Sequence, residues 1–117
     1  MNITVLGGGM VGSAIARDLA AETSFHVTVA DRDPAALARC ASDRIATRTA
    51  DLSLGEAIDV AIAEADLVIG AVPGFMGYQT LQRVIEAGKN VVDISFFPED
   101  PFSLNDLAEE RGVTEIM

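Results

Sequence analysis

Short apolar runs alternate along this chain with stretches that place apolar residues about every three or four positions. The first two runs cover residues 2–6 and 25–30, and each is followed by a helix-like stretch, at residues 10–21 and 34–41. Short runs rich in β-branched residues are typical of strands, whereas the longer spacing marks one face of a helix. The pattern therefore predicts strands and helices in alternation.

The alternation continues to the end of the chain. Residues 67–72 are apolar throughout, as expected of a parallel strand that is buried on both faces. Pro73 and Gly74 end this strand, and Gly88 and Gly112 are predicted to end the helices before them. The other predicted strands cover residues 45–49, 90–94 and 113–117, and the later helices begin near residues 54, 75 and 104.

Capping residues and apolar side chains predict how the helices start and which faces they bury. Asp33 before Pro34 is a start signal, Ser53 with Glu56 fits a capping box, and Ser103 is expected to cap the last helix. The second helix is expected to bury Leu37 with Cys40 or Ala41. The side chains expected to face the core from the first and third helices are Val11, Ile15, Leu19, Leu54, Ile58 and Ile62.

Alternating strands and helices with short connections form a parallel sheet, because right-handed crossovers place the helices on its two faces. The predicted fold class is α/β, a three-layer, doubly wound Rossmann fold with strand order 3-2-1-4-5-6. The 117 residues suffice for one such domain. In this fold a ligand lies across the carboxyl ends of the first and fourth strands, where the strand order reverses.

The connection from the first strand to the first helix carries a glycine pattern typical of dinucleotide binding. Gly7, Gly9 and Gly12 fit G-x-G-x-x-G: the first permits a sharp turn, the second the approach of a pyrophosphate, and the third close packing of the helix. Main-chain N–H groups at the helix start then face the anion. The alternative is a glycine-rich turn that binds nothing.

Asp31 ends the second strand about 20 residues after the glycines, where a ribose-binding carboxylate is expected. Its charge would repel a 2′-phosphate and favours NAD, but Arg32 can pair with that phosphate, so NADP remains possible. Asp31 could instead cap the next helix. Asp51 could reach the adenine amino group or be a turn residue, and Val72 and Pro73 could follow the nicotinamide-side ribose or form a tight turn.

Composition limits the partners and the location. Eighteen acidic against eight basic residues give a net charge of -10, which disfavours nucleic acid and anionic membranes. The longest apolar stretch is interrupted by Pro73 and glycines and is shorter than the roughly 20 residues of a membrane span. Cys40 is a single cysteine, so no internal disulfide forms, and without a signal peptide the expected location is the cytoplasm.

Side chains able to carry out chemistry are scarce. His26 starts a strand away from the predicted site, and the sole lysine, Lys89, lies in a turn away from it. Tyr78 is followed four positions later by Gln82, so the tyrosine-lysine dyad of short-chain dehydrogenases is missing. No histidine, cysteine and carboxylate cluster has metal-ligand spacing. We therefore predict a domain that binds a redox cofactor, with no catalytic residue and no metal of its own.

Four runs resemble the N-terminal domain of saccharopine dehydrogenase-type proteins. They cover residues 6–20, 27–33, 65–74 and 84–95, and the last, VIEAGKNVVDIS, is the most specific because Rossmann geometry does not demand it. The resemblance implies an NAD(P)-dependent oxidoreductase that moves a hydride to or from an imine or amine in lysine or polyamine metabolism. It also implies a C-terminal domain that completes the amino acid substrate site and forms a homodimer, so this chain alone would bind without turnover.

The resemblance also implies which residues contact the cofactor, with Asp93, Ser95 and Phe96 near its nicotinamide end. Gly74 departs from the usual family pattern and leaves the geometry of its loop open. The complete set of predicted cofactor-binding residues is Gly7, Gly9, Met10, Val11, Gly12, Asp31, Arg32, Asp51, Ala71, Val72, Pro73 and Ser95.

The length of the chain leaves two interpretations of its biological role. The chain stops inside the predicted sixth strand, so we expect it to be the N-terminal part of a longer protein. The alternative is a regulatory nucleotide-binding module without catalysis, such as the sensor domains of potassium transport systems, which share the fold and have a similar length.

Overall fold

Strands and helices alternate through the computed structural model, which describes residues 1–95 and 104–116. The strands are β1 (Asn2–Leu6), β2 (His26–Asp31), β3 (Ile45–Thr49), β4 (Leu67–Gly70), β5 (Asn90–Asp93) and β6 (Glu115–Ile116). The helices are α1 (Met10–Ala20), α2 (Pro34–Cys40), α3 (Gly55–Ile62), α4 (Gly74–Glu86) and α5 (Asn105–Arg111). Ser103 and Phe96, for which we predicted a cap and a cofactor contact, lie outside the described residues.

The strands form one parallel sheet in the order β3-β2-β1-β4-β5-β6, so the predicted Rossmann fold and strand order are confirmed. β1 lies at the centre and pairs with both β2 and β4. The chain therefore leaves β1 toward one edge of the sheet and returns beside it to build the other half. The connections after β1 and β4 meet at the point where the order reverses.

Two apolar clusters cover the two faces of the sheet, as its three-layer architecture requires. Ile3 and Val5 pack with α1 and α2 in one cluster, whereas Leu6 packs with α3, α4 and α5 in the other. Successive residues of a strand point to opposite faces, so β1 contributes to both clusters. This double burial explains why the central strands are apolar almost throughout.

The predicted apolar face of α1 differs from the structure because small residues take its place against the sheet. α1 buries Gly12, Ser13, Ala16 and Ala20, while Val11 is 59% exposed and Ile15 and Leu19 are only half-buried. Small side chains let the helix axis lie close to the sheet, which moves the apolar stripe aside. The predicted burial of Val11 is therefore wrong.

The predicted capping box at the start of α3 is also wrong. Leu54 occupies the N-cap position and is 56% exposed, and Ser53 donates instead to the carboxylate of Asp51. By contrast, Asp33 caps α2 as predicted, since its Oδ1 accepts from Ala35 N at 3.0 Å.

A glycine in β4 makes room for a buried acid in β5. A Cβ atom on Gly70 would lie 2.7 Å from Oδ2 of Asp93, whose residue is only 4% exposed. Gly70 and Asp93 are also register partners in adjacent strands. The absence of a side chain at Gly70 therefore permits the carboxyl group of Asp93 to lie over the sheet.

This packing predicts that Gly70→Ala destabilises the fold by about 1–3 kcal/mol through overpacking. The same substitution should cost much less in an Asp93→Ala background, because the opposing carboxyl group is gone. Chemical denaturation of the two single variants, the double variant and the parent measures this coupling, which we expect to be roughly 1 kcal/mol or more. An equal cost in both backgrounds would show that the carboxyl group is not the obstacle.

Candidate functional site

Two of the three motif glycines allow the connections after β1 and β4 to touch. Gly7 has φ of 107°, a backbone conformation that favours glycine, and a Cβ there would lie 2.5 Å from the carbonyl oxygen of Ala71. A Cβ on Gly12 would overlap the carbonyl oxygen of Gly7 and lie 3.3 Å from the Ala71 side chain. The turn and the close helix packing predicted for these glycines are confirmed.

Gly9 differs from the other two because a Cβ atom there would meet nothing within 4 Å. Gly9 is the N-cap residue of α1, so no side chain caps the start of this helix. The next residue, Met10, is 89% exposed. The first N–H groups of a helix have no partner within the helix, and the helix dipole makes this end attractive to anions. The open space in front of Gly9 therefore suits a phosphate group.

The carboxylate of Asp31 is held by two main-chain donors. Its Oδ2 accepts from the Gly8 amide at 2.7 Å, and its Oδ1 accepts from the Asp33 amide at 2.9 Å. The possibility that Asp31 caps α2 is wrong, since Asp33 does so. Asp31 instead joins the glycine loop to the end of β2.

Asp51 lies at the end of the connection after β3 and forms a local turn. Its Oδ1 accepts from the Ser53 hydroxyl at 2.6 Å and from the Ser53 amide at 3.0 Å. These two bonds, and to a smaller extent the charge of Arg32, hold the pKa of Asp51 below its ordinary value. The contact of Asp51 with Ser53 fits the turn interpretation, and its position beside Arg32 places it at the rim of a cavity.

This first cavity, which we call the Asp31 cavity, has a volume of about 200 Å³. Its lining combines charged side chains from the end of β2 and from the connections after β2 and β3 with apolar side chains from the connections after β3 and β4 and from the start of α4. Its lining residues are Gly7, Asp31, Arg32, Asp51, Leu52, Ser53, Val72, Pro73, Phe75 and Met76.

A second cavity, which we call the Ser95 cavity, has a volume of about 310 Å³. It shares Val72 with the Asp31 cavity. The Asp31 cavity is also lined by Gly7, in the connection between β1 and α1, and the Ser95 cavity by Val11, in the first turn of α1. The two cavities therefore meet at the carboxyl edge of β1 and β4. The lining residues of the Ser95 cavity are Val11, Ala71, Val72, Gly74, Ile94 and Ser95.

Hydrogen bonds from Ser95 fix the wall between the end of β5 and the loop after β4. The Ser95 hydroxyl donates to the carbonyl oxygen of Val72 at 2.9 Å, and the Ser95 amide donates to Oδ1 of Asp93 at 2.7 Å. Oδ2 of Asp93 is buried and has no hydrogen-bond partner among the described residues. Burial raises the pKa of Asp93 to about 6, against the opposing effect of the hydrogen bonds with Ser95.

Nine of the twelve predicted cofactor-binding residues line one of these two cavities, and Gly9, Met10 and Gly12 do not. Gly9 and Met10 are exposed at the start of α1, and Gly12 is buried behind Gly7. Pro73, predicted either to follow the nicotinamide-side ribose or to form a tight turn, lines the Asp31 cavity. Sequence reasoning missed the apolar lining residues Leu52, Met76 and Ile94. Ile94 ends a predicted strand and the other two come within four residues after one, and the carboxyl ends of parallel strands share one edge.

Other reactive side chains lie elsewhere. His26 begins β2 at the opposite edge of the sheet, and Lys89 Nζ donates to the carbonyl oxygen of Ala63 at 3.1 Å. Cys40 is buried, with its Sγ 3.7 Å from the carbonyl oxygen of Gly8. Across residues 1–95 and 104–116, no cluster of side chains could hold a metal ion, and no helix has the length and apolar character to cross a bilayer.

Comparison with known proteins adds a family and several similar structures. The family model described as "Saccharopine dehydrogenase NADP binding domain" matches residues 3–116. Apo saccharopine dehydrogenase (L-Glu forming) from Saccharomyces cerevisiae superposes with a TM-score of 0.85 at 26% identity, over 97% of this chain. GenD2 from gentamicin A biosynthesis, in complex with NAD, has a TM-score of 0.73 at 27% identity, over 99% of this chain.

Part of this chain is also similar in sequence to terpredoxin reductase from Pseudomonas sp, with 42% identity over 62 residues, or 53% of this chain. All these proteins are much longer than the region they share with this chain. The match covers 15% of terpredoxin reductase, 26% of the yeast enzyme's chain and 34% of the GenD2 chain.

The buried carboxyl group of Asp93 predicts a pH dependence that needs no ligand. Because the pKa of Asp93 is about 6 in the folded chain and 3.8 in the reference state, the folded chain binds the proton more tightly. Stability should therefore fall as pH rises from about 4 to about 6, by roughly 2–3 kcal/mol from this group.

Asp93→Asn should remove this contribution, so its stability relative to the parent should rise across that pH range. Denaturation series at closely spaced pH values measure the difference. Asp18→Asn, at an exposed position of α1, is the matched control, and its curve should stay parallel to that of the parent. A parallel curve for Asp93→Asn as well would mean that Asp93 does not titrate in this range.

Proposed function

This chain belongs to the saccharopine dehydrogenase family as its NAD(P)-binding domain, and from that premise we propose which cofactor it prefers and which reaction it serves. The domain holds NAD for an oxidoreductase that transfers a hydride to or from an amino acid or imine substrate. The observation that carries this proposal is the meeting of two cavities at an uncapped helix start. A dinucleotide likewise has two nucleoside halves joined by a pyrophosphate.

The pyrophosphate belongs in the open space in front of Gly9. The N–H groups at the start of α1 point toward this space, and a Cβ on Gly9 would project into it without touching the protein. The overall charge of -10 does not prevent binding, because charges beyond about 10 Å are screened while the N–H groups act at contact distance.

The adenosine half belongs in the Asp31 cavity. Leu52, Phe75 and Met76 offer apolar surface to the adenine ring, and the carboxylate of Asp31 can accept from the ribose hydroxyls. Two carboxylates, Asp31 and Asp51, outnumber the single guanidinium of Arg32 in this cavity. The excess negative charge disfavours a 2′-phosphate, which supports NAD over NADP.

The nicotinamide half belongs in the Ser95 cavity, and there it supplies or accepts the hydride. Val11, Ala71, Val72 and Ile94 give this cavity an apolar lining that limits access of water to the ring. Ser95 keeps Val72 in place through its hydroxyl. We assign no catalytic residue to this chain.

The substrate site and any homodimer contact belong, in this proposal, to further sequence of a longer protein. The similarity to a saccharopine dehydrogenase whose chain is about four times as long as the shared region supports this division. An amino acid substrate is the chemistry that the name of this relative suggests. On this proposal the chain alone binds cofactor and does not turn over substrate.

Calorimetric titration of the chain with NADH and NADPH in parallel tests the proposal. We expect NADH binding, and we expect Gly9→Val to lower the affinity at least about tenfold because the side chain occupies the pyrophosphate space. The fold should survive, since the added side chain meets no protein atom near its Cβ. Unchanged affinity in a folded Gly9→Val variant would place the pyrophosphate elsewhere, and binding of neither nucleotide by the parent would refute the function.

The choice between NAD and NADP depends on Asp31 and Arg32. Asp31→Ala should lower the affinity for NADH by about 10- to 100-fold, because the ribose hydroxyls lose a charged acceptor. The affinity for NADPH should fall by less. Arg32→Ala should leave NADH affinity within about threefold and lower that of NADPH. The opposite order, with NADPH losing more in Asp31→Ala, would make Arg32 the selecting residue.

A further inference from the structure

The hydrogen bond between the Gly8 amide and Asp31 is short and joins residues 23 positions apart. Its length of 2.7 Å is at the lower end for an N–H group and a carboxylate, as expected of a charge-assisted bond. Gly8 lies in the middle of the glycine loop and is buried. The bond therefore connects the phosphate-facing loop to a charged group beneath it.

The Gly8 peptide is enclosed by β2 and α2 as well. A Cβ on Gly8 would lie 3.3 Å from Val29, 3.4 Å from Oδ2 of Asp31 and 3.6 Å from Ala36. The carbonyl oxygen of Gly8 lies 3.7 Å from the Sγ of Cys40. The N–H group and the carbonyl group of Gly8 are thus both in contact with residues outside the glycine loop.

Asp31 is itself fixed, so it can act as an anchor. Its second oxygen accepts from the amide of Asp33, the residue that caps α2. A loop of three consecutive glycines has more conformational freedom than any other sequence of that length. Without the hydrogen bond to Asp31, the loop would lose more conformational entropy when a ligand binds, and the amide of the buried Gly8 would lack its acceptor.

We propose that Asp31 is a positioning residue for the phosphate-binding loop, in addition to accepting the ribose hydroxyls. Its carboxylate holds the Gly8 amide and thereby fixes the direction of the next amides, from Gly9 onward, toward the pyrophosphate. This inference rests on the proposed function for its ligand, although the hydrogen bond itself is independent of any ligand.

Asp31 as an anchor of the loop and Asp31 as a mere negative charge predict opposite changes in phosphate-ligand affinity when its carboxylate is removed. If Asp31 only contributed charge, its removal would strengthen the binding of a phosphate ligand that has no ribose hydroxyls, because a nearby negative charge is lost. If Asp31 anchors the loop, its removal lowers the affinity for such a ligand. ADP and 2′,3′-dideoxy-ADP form a suitable pair, since they differ only in the two ribose hydroxyls.

Calorimetric titration of the parent, Asp31→Ala and Asp31→Asn with both ligands separates the two roles. We expect Asp31→Ala to lower the affinity for dideoxy-ADP by roughly five- to fiftyfold, and the affinity for ADP by more. Asp31→Asn should recover part of the dideoxy-ADP affinity, since its amide oxygen can still accept from Gly8. Asp43→Ala, an equal change of charge at an exposed position, should leave the dideoxy-ADP affinity within about twofold of the parent value.

Equal or tighter binding of dideoxy-ADP to Asp31→Ala would overturn the anchor and leave Asp31 as a ribose acceptor alone. If Asp31→Ala does not fold, Asp31→Leu replaces it, because leucine is close to aspartate in size and has no acceptor for the Gly8 amide. Equal or tighter binding of dideoxy-ADP to Asp31→Leu then overturns the anchor.

A second readout needs no ligand and so separates this inference from the proposed function. In ¹⁵N-labelled parent protein, the Gly8 amide should exchange slowly with solvent and resonate at low field because of its short bond to a carboxylate. Asp31→Ala should speed this exchange about tenfold or more while the Val5 amide in β1 keeps its rate. Unchanged Gly8 exchange would refute the anchor even if NADH binds, and failure of the parent to bind any nucleotide would refute the function even if the anchor is present.

Discussion

The arrangement of this domain depends on the contact between two connections that leave adjacent strands. The chain departs from β1 in one direction and from β4 in the other, and the two loops must touch for the edge to form a single site. Gly7 and Gly12 permit this contact, since a side chain on either would meet main-chain atoms of the opposite loop or of the same loop. The close approach places both cavities beside one helix start, which is what a ligand with two halves requires.

Two aspartates at this edge have different surroundings. Both oxygens of Asp31 accept from main-chain N–H groups, and this carboxylate lines the cavity where the proposed ribose would lie. Asp93 has one such donor, and its other oxygen is buried without a partner among the described residues, which explains its raised pKa. Burial, which the hydrogen bonds with Ser95 do not offset, therefore raises the pKa of Asp93, whereas Asp31 lines a cavity where a ligand can reach its carboxylate.

The sequence predicted the strand order and the place of the site because both depend on short-range patterns. The apolar runs, the spacing of Gly7, Gly9 and Gly12, and the acid at the end of β2 are visible without a structure. The exposure of Val11 could not be seen, because small residues that pack closely carry no strong apolar signal. The bond from Gly8 to Asp31 joins a loop to a strand end 23 positions away, which no local pattern reveals. Burial of Asp93 had a usable signal, since it shares a strand face with Val91, which is also buried.

The lining of the Ser95 cavity limits what this domain can contribute to a reaction. Within the described residues, its lining side chains carry no ionisable group, and the nearby Asp93 has its free oxygen buried away from the cavity surface. A hydride transfer to an imine also needs a proton, and an apolar surface can neither supply nor remove one. The apolar lining of the Ser95 cavity is suited to positioning a cofactor ring and excluding water. In the proposed reaction the proton would therefore come from groups other than these lining side chains, and this domain would serve the hydride transfer alone.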